Sequence, residues 1–340
     1  MPSHLSLKFK VGRYCKGMPS VLFLACALLT PTLHILADAS AWGSIKQRLA
    51  NLEQFEDATL KTIASSGKRA RLIHAKYSTL FAFLKNRETL AKTSGSDLDL
   101  LYRAASLSAF YSRAKTDVAD MKSIFQELRT RKLLEKRHYV HLYEALVSTR
   151  QFMQARELAS KNPHLGLPLL PRYREAPQIK PGSPTELVLS ADKKTWLRTT
   201  VDLQQDSQIV VVSHPLCHFC QYAIRDIEAD SVLRGLFARH ALWIAPQDGN
   251  LDLDDFQEWE TQHPNATIRV AYKQSEWPMI DTWNTPSFYF LAHGKVVAKV
   301  VGWPKEGHKA ELIAASRTAG LLPSSGISDV KHADTHRQNF

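Results

Sequence analysis

The chain has 340 residues, 44% of them hydrophobic and 23% charged, with 16 prolines, 14 glycines, four cysteines and a formal net charge of +11. That balance excludes a collagen-like repeat, a disulfide-dense miniprotein and wholesale disorder, and it leaves room for two globular domains. The charge is uneven, +3 over residues 1–39, +12 over 40–183 and −4 over 184–340, which separates regions suited to different partners.

Residues 1–39 follow the plan of a signal peptide. Lys8, Lys10, Arg13 and Lys16 precede an apolar run from Met18 to Leu29, and Ala37-Asp38-Ala39 offers a small-residue cleavage site after Ala39. An uncleaved N-terminal membrane anchor competes with cleavage, because Met18 to Ala39 nearly spans the roughly 30 Å of a bilayer core. Pro31, His34 and Asp38 weaken that alternative. Either way the bulk of the chain is expected to be exported. Cys15 and Cys26 would leave with the signal, so the mature chain would keep Cys217 and Cys220 and build no disulfide framework.

From residue 40 to 162 the apolar spacing predicts an all-α domain. Trp42, Ile45, Leu49, Leu52, Phe55, Leu60 and Ile63 recur at helical intervals. Further helices are predicted over 72–90, 98–110, 118–128, 139–146 and 152–158. Ser96 and Thr116 are candidate N-caps, while Gly67 and Asn162-Pro163 are candidate stops. The last two helices resemble one tetratricopeptide-type hairpin, with Leu142, Ala155 and Pro163 near the favoured positions, although one unit is weak support for a repeat array. The basic stretches KRAR at 68–71 and RTRKLLEKR at 129–137 read first as a solvated face. Docking to an acidic protein partner or an anionic membrane surface comes next. No nucleic-acid partner is expected, because basic patches are non-specific and an exported chain rarely meets DNA.

Six prolines between 163 and 184 predict a linker through which neither helix nor sheet continues. Residues 185–323 then alternate strand and helix patterns. Strands are predicted over 186–189, 196–201, 209–212, 241–245, 267–271, 287–291 and 295–301, with a hairpin turn at His293-Gly294. Helices are predicted over 222–240, 253–262 and 305–319. The polar tail 324–340 is expected to be loose.

The chemistry concentrates in HPLCHFC at 214–220. A metal half-site, a structural cross-link and an electron-exchanging dithiol are the three readings. Zinc needs about four ligands, and with no second cysteine pair in the mature chain no metal or other cofactor is expected. A cross-link closing so small a ring would constrain little of the unfolded chain. An exchanging pair fits the context, because Cys217 stands where a buried strand hands over to a helix. Unpaired amides and the dipole there favour a thiolate. Cys220, three residues on, lies within disulfide reach on the same face. Cys217 is then the nucleophile and Cys220 the resolving thiol. A protonated His218 would add a favourable charge, and Phe219 an apolar contact.

The segments IVVVSHPLCHFC and WNTPSFYFLAHGKVVAKVVGWP resemble the two signature regions of the thioredoxin superfamily. The aromatic before the second cysteine, Thr285 before Pro286, and Gly302-Trp303-Pro304 are most similar to the periplasmic disulfide isomerases of the DsbC and DsbG type. The resemblance covers roughly 185–320. It implies a thioredoxin-like fold, a cis-proline at Pro286 that holds substrate backbone together with Thr285, a periplasmic location, disulfide-bearing envelope proteins as substrates and a membrane redox partner that recycles the pair. Val211 or a neighbour stands where thioredoxin carries a buried Asp, and the helical region differs from the isomerases' dimerisation domain. The expected function is therefore an exported disulfide reductase or isomerase. The alternative is a helical adaptor or assembly component of an envelope machine, such as a secretion or conjugation apparatus, with the thioredoxin-like domain as a docking module.

Overall fold

The computed structural model describes residues 43–323 apart from 86, 205, 206 and 250. The expected signal peptide over 1–39 with Cys15 and Cys26, and the tail 324–340, lie outside the described residues. The N-terminal part is helical throughout: α1 (Ile45–Thr62), α2 (Ser66–Leu80), α3 (Arg87–Lys92), α4 (Gly95–Ser112), α5 (Lys115–Thr130), α6 (Lys136–Ser148) and α7 (Phe152–Lys161). Ser44 closes a capping box with Gln47 at the start of α1, satisfying amides that the first turn leaves unpaired. Leu49 and Leu52 then turn one face of α1 into the core.

Several expected boundaries are corrected. Gly67 is not a stop but lies in the first turn of α2, whose cap is Ser65. The preceding chain end is held instead by Arg69, whose Nη1 donates to the carbonyls of Ile63 (2.7 Å) and Ala64 (2.9 Å). The cap of α4 is Ser94 rather than Ser96. Thr116 caps nothing, because α5 already begins at Lys115 and the Thr116 hydroxyl donates to Asp117. The helix expected over 72–90 breaks after Leu80, runs through a short 3-10 turn (Ala82–Lys85) and resumes as α3. Leu84 and Leu90 are both buried, yet on one straight helix they would point about 120° apart. The break lets both face the core.

Asp117 is the polar hub of this bundle. It is buried, and its Oδ2 accepts from Ser108 Oγ (2.6 Å), Ser112 Oγ (2.7 Å) and His74 Nδ1 (3.0 Å) in the first turn of α5. A carboxylate there also meets the positive end of the helix dipole. Asp117→Ala strands the buried Ser108 hydroxyl and the half-buried donors Ser112 and His74, and urea titration is expected to show stability lowered by about 2 kcal/mol with an unchanged m-value.

The α/β part comprises β1 (Arg172–Glu175), β2 (Thr185–Leu189), β3 (Thr195–Thr200), β4 (Ser207–Val212), α8 (His218–Ala229), α9 (Ser231–His240), β5 (Ala241–Ala245), α10 (Leu253–Gln262), β6 (Ile268–Ala271), β7 (Ser287–Ala292), β8 (Lys295–Val301) and α11 (Lys309–Thr318). One eight-stranded sheet runs in the order β1-β3-β2-β6-β5-β4-β7-β8. β4 pairs in parallel with β5 and antiparallel with β7, which pairs antiparallel with β8. This mixed sheet with its helices is compatible with a thioredoxin-like domain.

Two further expectations are corrected here. Residues 163–184 are not a strand-free linker, since Arg172–Glu175 pairs in parallel with β3 as an edge strand. It uses the proline-free window between Pro171 and Pro177, and the edge position leaves proline nothing to disrupt. The helix expected over 222–240 starts earlier, at His218, and is cut at Asp230. The Asp230 carboxylate accepts from the amides of Val232 and Leu233, both at 3.0 Å, and starts α9.

Strand periodicity divides the core. Ile209, Val211, Phe288, Phe290 and Trp243 face one side and join the helical bundle in a continuous apolar cluster. Val210, Val212, Tyr289, Leu291 and Ile244 face the other. The helical and α/β parts expected as two domains therefore share a core within one compact unit. Their seam is polar at its edges. Arg150, in the turn between α6 and α7, donates through Nε to the Tyr272 carbonyl (2.7 Å) and through Nη2 to that of Ala271. Gln247 Nε2 donates to the Ser148 carbonyl (2.6 Å). Gly249 lies against α6 so closely that a Cβ would sit 2.8 Å from the Glu144 carbonyl oxygen.

Candidate active site

β4 is central, and its residues Ile209 to Val212 are completely buried on both faces. The strand delivers the chain to a tight loop, in which the Cys217 amide donates to the His214 carbonyl (3.0 Å) and the Leu216 amide to His214 Nδ1 (3.2 Å). That loop sets Cys217 at the N-cap of α8, where its carbonyl accepts from the amides of Cys220 (2.9 Å) and Gln221 (3.0 Å). Cys217 has no capping side-chain bond of the ordinary kind. Its sulfur thus stands at the positive end of a helix of 12 residues.

Both cysteines are free thiols, Cys217 half-buried and Cys220 fully buried. The Cys217 pKa is pulled down to about 5, first by a hydrogen bond from the Cys220 thiol and then by the Thr285 side chain and the amides of Cys220 and Phe219. Burial opposes the shift and loses. Cys220 moves the other way: burial, with the neighbouring Cys217 adding to it, pushes its pKa far above that of an ordinary thiol. One sulfur is an accessible anion and the other a protonated reserve beneath it.

The loop before β7 crosses in front of this pair. The Thr285–Pro286 peptide is cis, and the Cys217 sulfur lies 3.5 Å from the Thr285 carbonyl oxygen. The Pro286 carbonyl is held from behind by the Gly302 amide (2.8 Å) at the end of β8. Gly302 has φ +83° with open space where a Cβ would go, so backbone conformation is what asks for glycine there. His218 is exposed on the first turn of α8. Phe219 is 56% exposed, and with Leu216 and Tyr222 it frames Cys217 in an uncovered apolar surface.

The structure thus brings Cys217, Cys220, Thr285 and Pro286 together and leaves His218 and Phe219 on the rim. Two contributors were not singled out from the sequence, and a third, Gly302, was noted there only as part of Gly302-Trp303-Pro304. Ser213 and the His214 amide lie against the Cys220 sulfur, and Gly302 braces Pro286. The polar residue closing the apolar run IVVVS was the available signal for Ser213. His214 also borders a cavity of about 280 Å³ between the two layers, with Phe110, Arg113, His141 and Asp248 on its other sides. Among the described residues, no group of three or more His, Cys, Asp or Glu side chains could hold a metal ion, and no helix is long and apolar enough to cross a membrane.

Fold and site together define a helical layer joined to a mixed α/β layer that carries a dithiol. No protein-family model matches the chain, and no curated protein matches it. Among solved structures, the solution structure of a candidate thioredoxin from Neisseria meningitidis is similar to 43% of this chain and 93% of its own, at 14% sequence identity and a TM-score of 0.29.

Proposed function

We propose that the protein is an exported thiol–disulfide oxidoreductase that reduces or isomerises disulfides in other envelope proteins. The observation that carries the reading is the asymmetry of the pair, an accessible Cys217 thiolate at a helix start above a buried, protonated Cys220. Export is supported by the basic and then apolar pattern of residues 1–39.

The Cys217 thiolate attacks one sulfur of a substrate disulfide. The S–S bond breaks, its electron pair leaves on the other substrate sulfur, and a mixed disulfide remains on Cys217. Cys220 then attacks Cys217, freeing the substrate as a thiol and leaving the protein oxidised. In isomerisation a second substrate cysteine instead attacks the substrate sulfur of the mixed disulfide, Cys217 leaves as the thiolate and the dithiol is regenerated. A low pKa makes Cys217 a good leaving group, which favours release by the isomerisation route. Thr285 and Pro286 border Cys217 where an extended substrate strand would lie, and Leu216, Phe219 and Tyr222 offer apolar contacts to an unfolded chain. A redox partner at the membrane would restore the reduced pair.

The test is turnover by the reduced protein on insulin and on a protein carrying scrambled disulfides. Reduction of the first or reactivation of the second is expected. A protein inert toward both, with an intact fold by circular dichroism, overturns the proposal.

A further inference from the structure

Cys220 must lose its proton before it can attack a mixed disulfide on Cys217, and its surroundings make that the difficult half of the cycle. The thiol is fully buried, and Ile209, Val210, Val211 and Val212 of the strand below are apolar. In the resting dithiol the Cys220 thiol donates to the Cys217 thiolate. Once Cys217 is bonded to a substrate sulfur it carries no charge, and its pull on that proton is gone.

Two polar groups then remain against the Cys220 sulfur, the His214 amide and the Ser213 hydroxyl. Ser213 follows directly on β4 and is 0% exposed. Its amide is engaged by the Ile244 carbonyl at 2.9 Å, yet its Oγ completes no hydrogen bond to any partner among the described residues. Leaving a buried hydroxyl in that state costs about 1–3 kcal/mol. Such groups are rare and call for a chemical reason. A hydroxyl with no other engagement can rotate its O–H toward whichever charge appears beside it. The neighbouring His214 ring is held elsewhere, its Nδ1 by the Leu216 amide (3.2 Å) and its Nε2 3.5 Å from the Asp248 carboxylate.

We propose that Ser213 is a positioning residue for the second half-reaction, its hydroxyl donating to the Cys220 thiolate as it forms and so setting the rate of substrate release. The inference rests on the thiol–disulfide reading above. In the step, Cys220 gives its proton to water and its sulfur attacks Cys217. The bond between Cys217 and the substrate sulfur breaks, and its electron pair goes to the substrate sulfur, which takes a proton from water. The cysteine pair is oxidised by two electrons and the substrate is reduced by the same two.

The reaction of the reduced full chain with 5,5′-dithiobis(2-nitrobenzoate) separates the halves, because one thionitrobenzoate leaves when Cys217 attacks and a second when Cys220 does. Ser213→Ala is expected to leave the first phase within about twofold and to slow the second about tenfold, the effect of one hydrogen bond to a charged group. The pH midpoint of the second phase should also move upward. Ser213→Thr, which keeps the hydroxyl, should restore both. A second phase unchanged in Ser213→Ala between pH 5 and 9, or slowed equally in Ser213→Thr, overturns the inference. Should the alanine variant not fold, Ser213→Cys, a weaker donor of similar size, is expected to slow the second phase by a lesser factor, and wild-type speed there overturns the inference equally. Absence of the first phase in the unmodified protein would instead sink the thiol–disulfide reading itself.

Discussion

Cys217→Ala is expected to abolish disulfide exchange, lowering kcat/KM at least about 10³-fold, because the only accessible thiolate of the site is lost and nothing replaces the nucleophile. Cys220→Ala should behave differently. The first attack survives, but the mixed disulfide on Cys217 can leave only by an external thiol, so covalent substrate adducts accumulate on non-reducing gels. The variant also removes the hydrogen bond that contributes most to the Cys217 shift, so its Cys217 should titrate above 5. Mass spectrometry of the trapped adducts identifies the substrates directly. Equal loss in both variants with no adduct would contradict a division of labour between the sulfurs, and full function in cells for a chain with both cysteines changed to serine would favour the adaptor reading.

Arg150→Ala is expected to have the largest effect on stability. The guanidinium is buried and still charged, its pKa lowered only to about 10 by burial. It satisfies the carbonyls of Tyr272 and Ala271 across the seam and that of Val147 near the end of α6. Removing it strands those acceptors and opens a void, which together should cost about 3–5 kcal/mol. Calorimetry checks the consequence for architecture. A single transition at lower temperature is expected if the helical layer and the sheet unfold as one unit, whereas two separated transitions would mean that the layers are independent and that Arg150 merely joins them.

Much of the α/β part was legible because its residues punctuate themselves. β5, β8 and α10 occupy the expected ranges, each bounded by turn-forming residues such as Pro246, Asp252 or His293-Gly294. β1 was not legible, since RYRE alternates weakly and becomes a strand only because β3 offers an edge. The split between α8 and α9 turns on one side chain, Asp230, whose capping role shows only when its acceptors are seen. In the bundle the misplaced boundaries at Gly67 and Ser96 share a cause. A side-chain donor on the next helix, Arg69, and caps two residues away decided what local propensity left open. At the site, the two cysteines and the Thr-Pro pair carried a spacing signature. Ser213 acts through burial, which has no residue pattern of its own, and Gly302, legible within Gly302-Trp303-Pro304, acts through a backbone amide whose partner only the fold reveals.

The central claim is that the start of α8 holds Cys217 as a thiolate, and the sign of its pH dependence follows from the shift. Its folded pKa, about 5, lies below the unfolded thiol value. The stabilisation of the reduced protein is therefore fully present above the unfolded pKa and is lost as pH falls toward 5. The most direct measurement is the rate of Cys217 alkylation by iodoacetamide in the reduced protein across pH 3 to 10, followed by mass spectrometry of the peptide that carries it. A rate that rises with a midpoint near 5 and is flat through neutrality is the predicted result. A midpoint near the ordinary thiol value of about 8.5 would contradict the account.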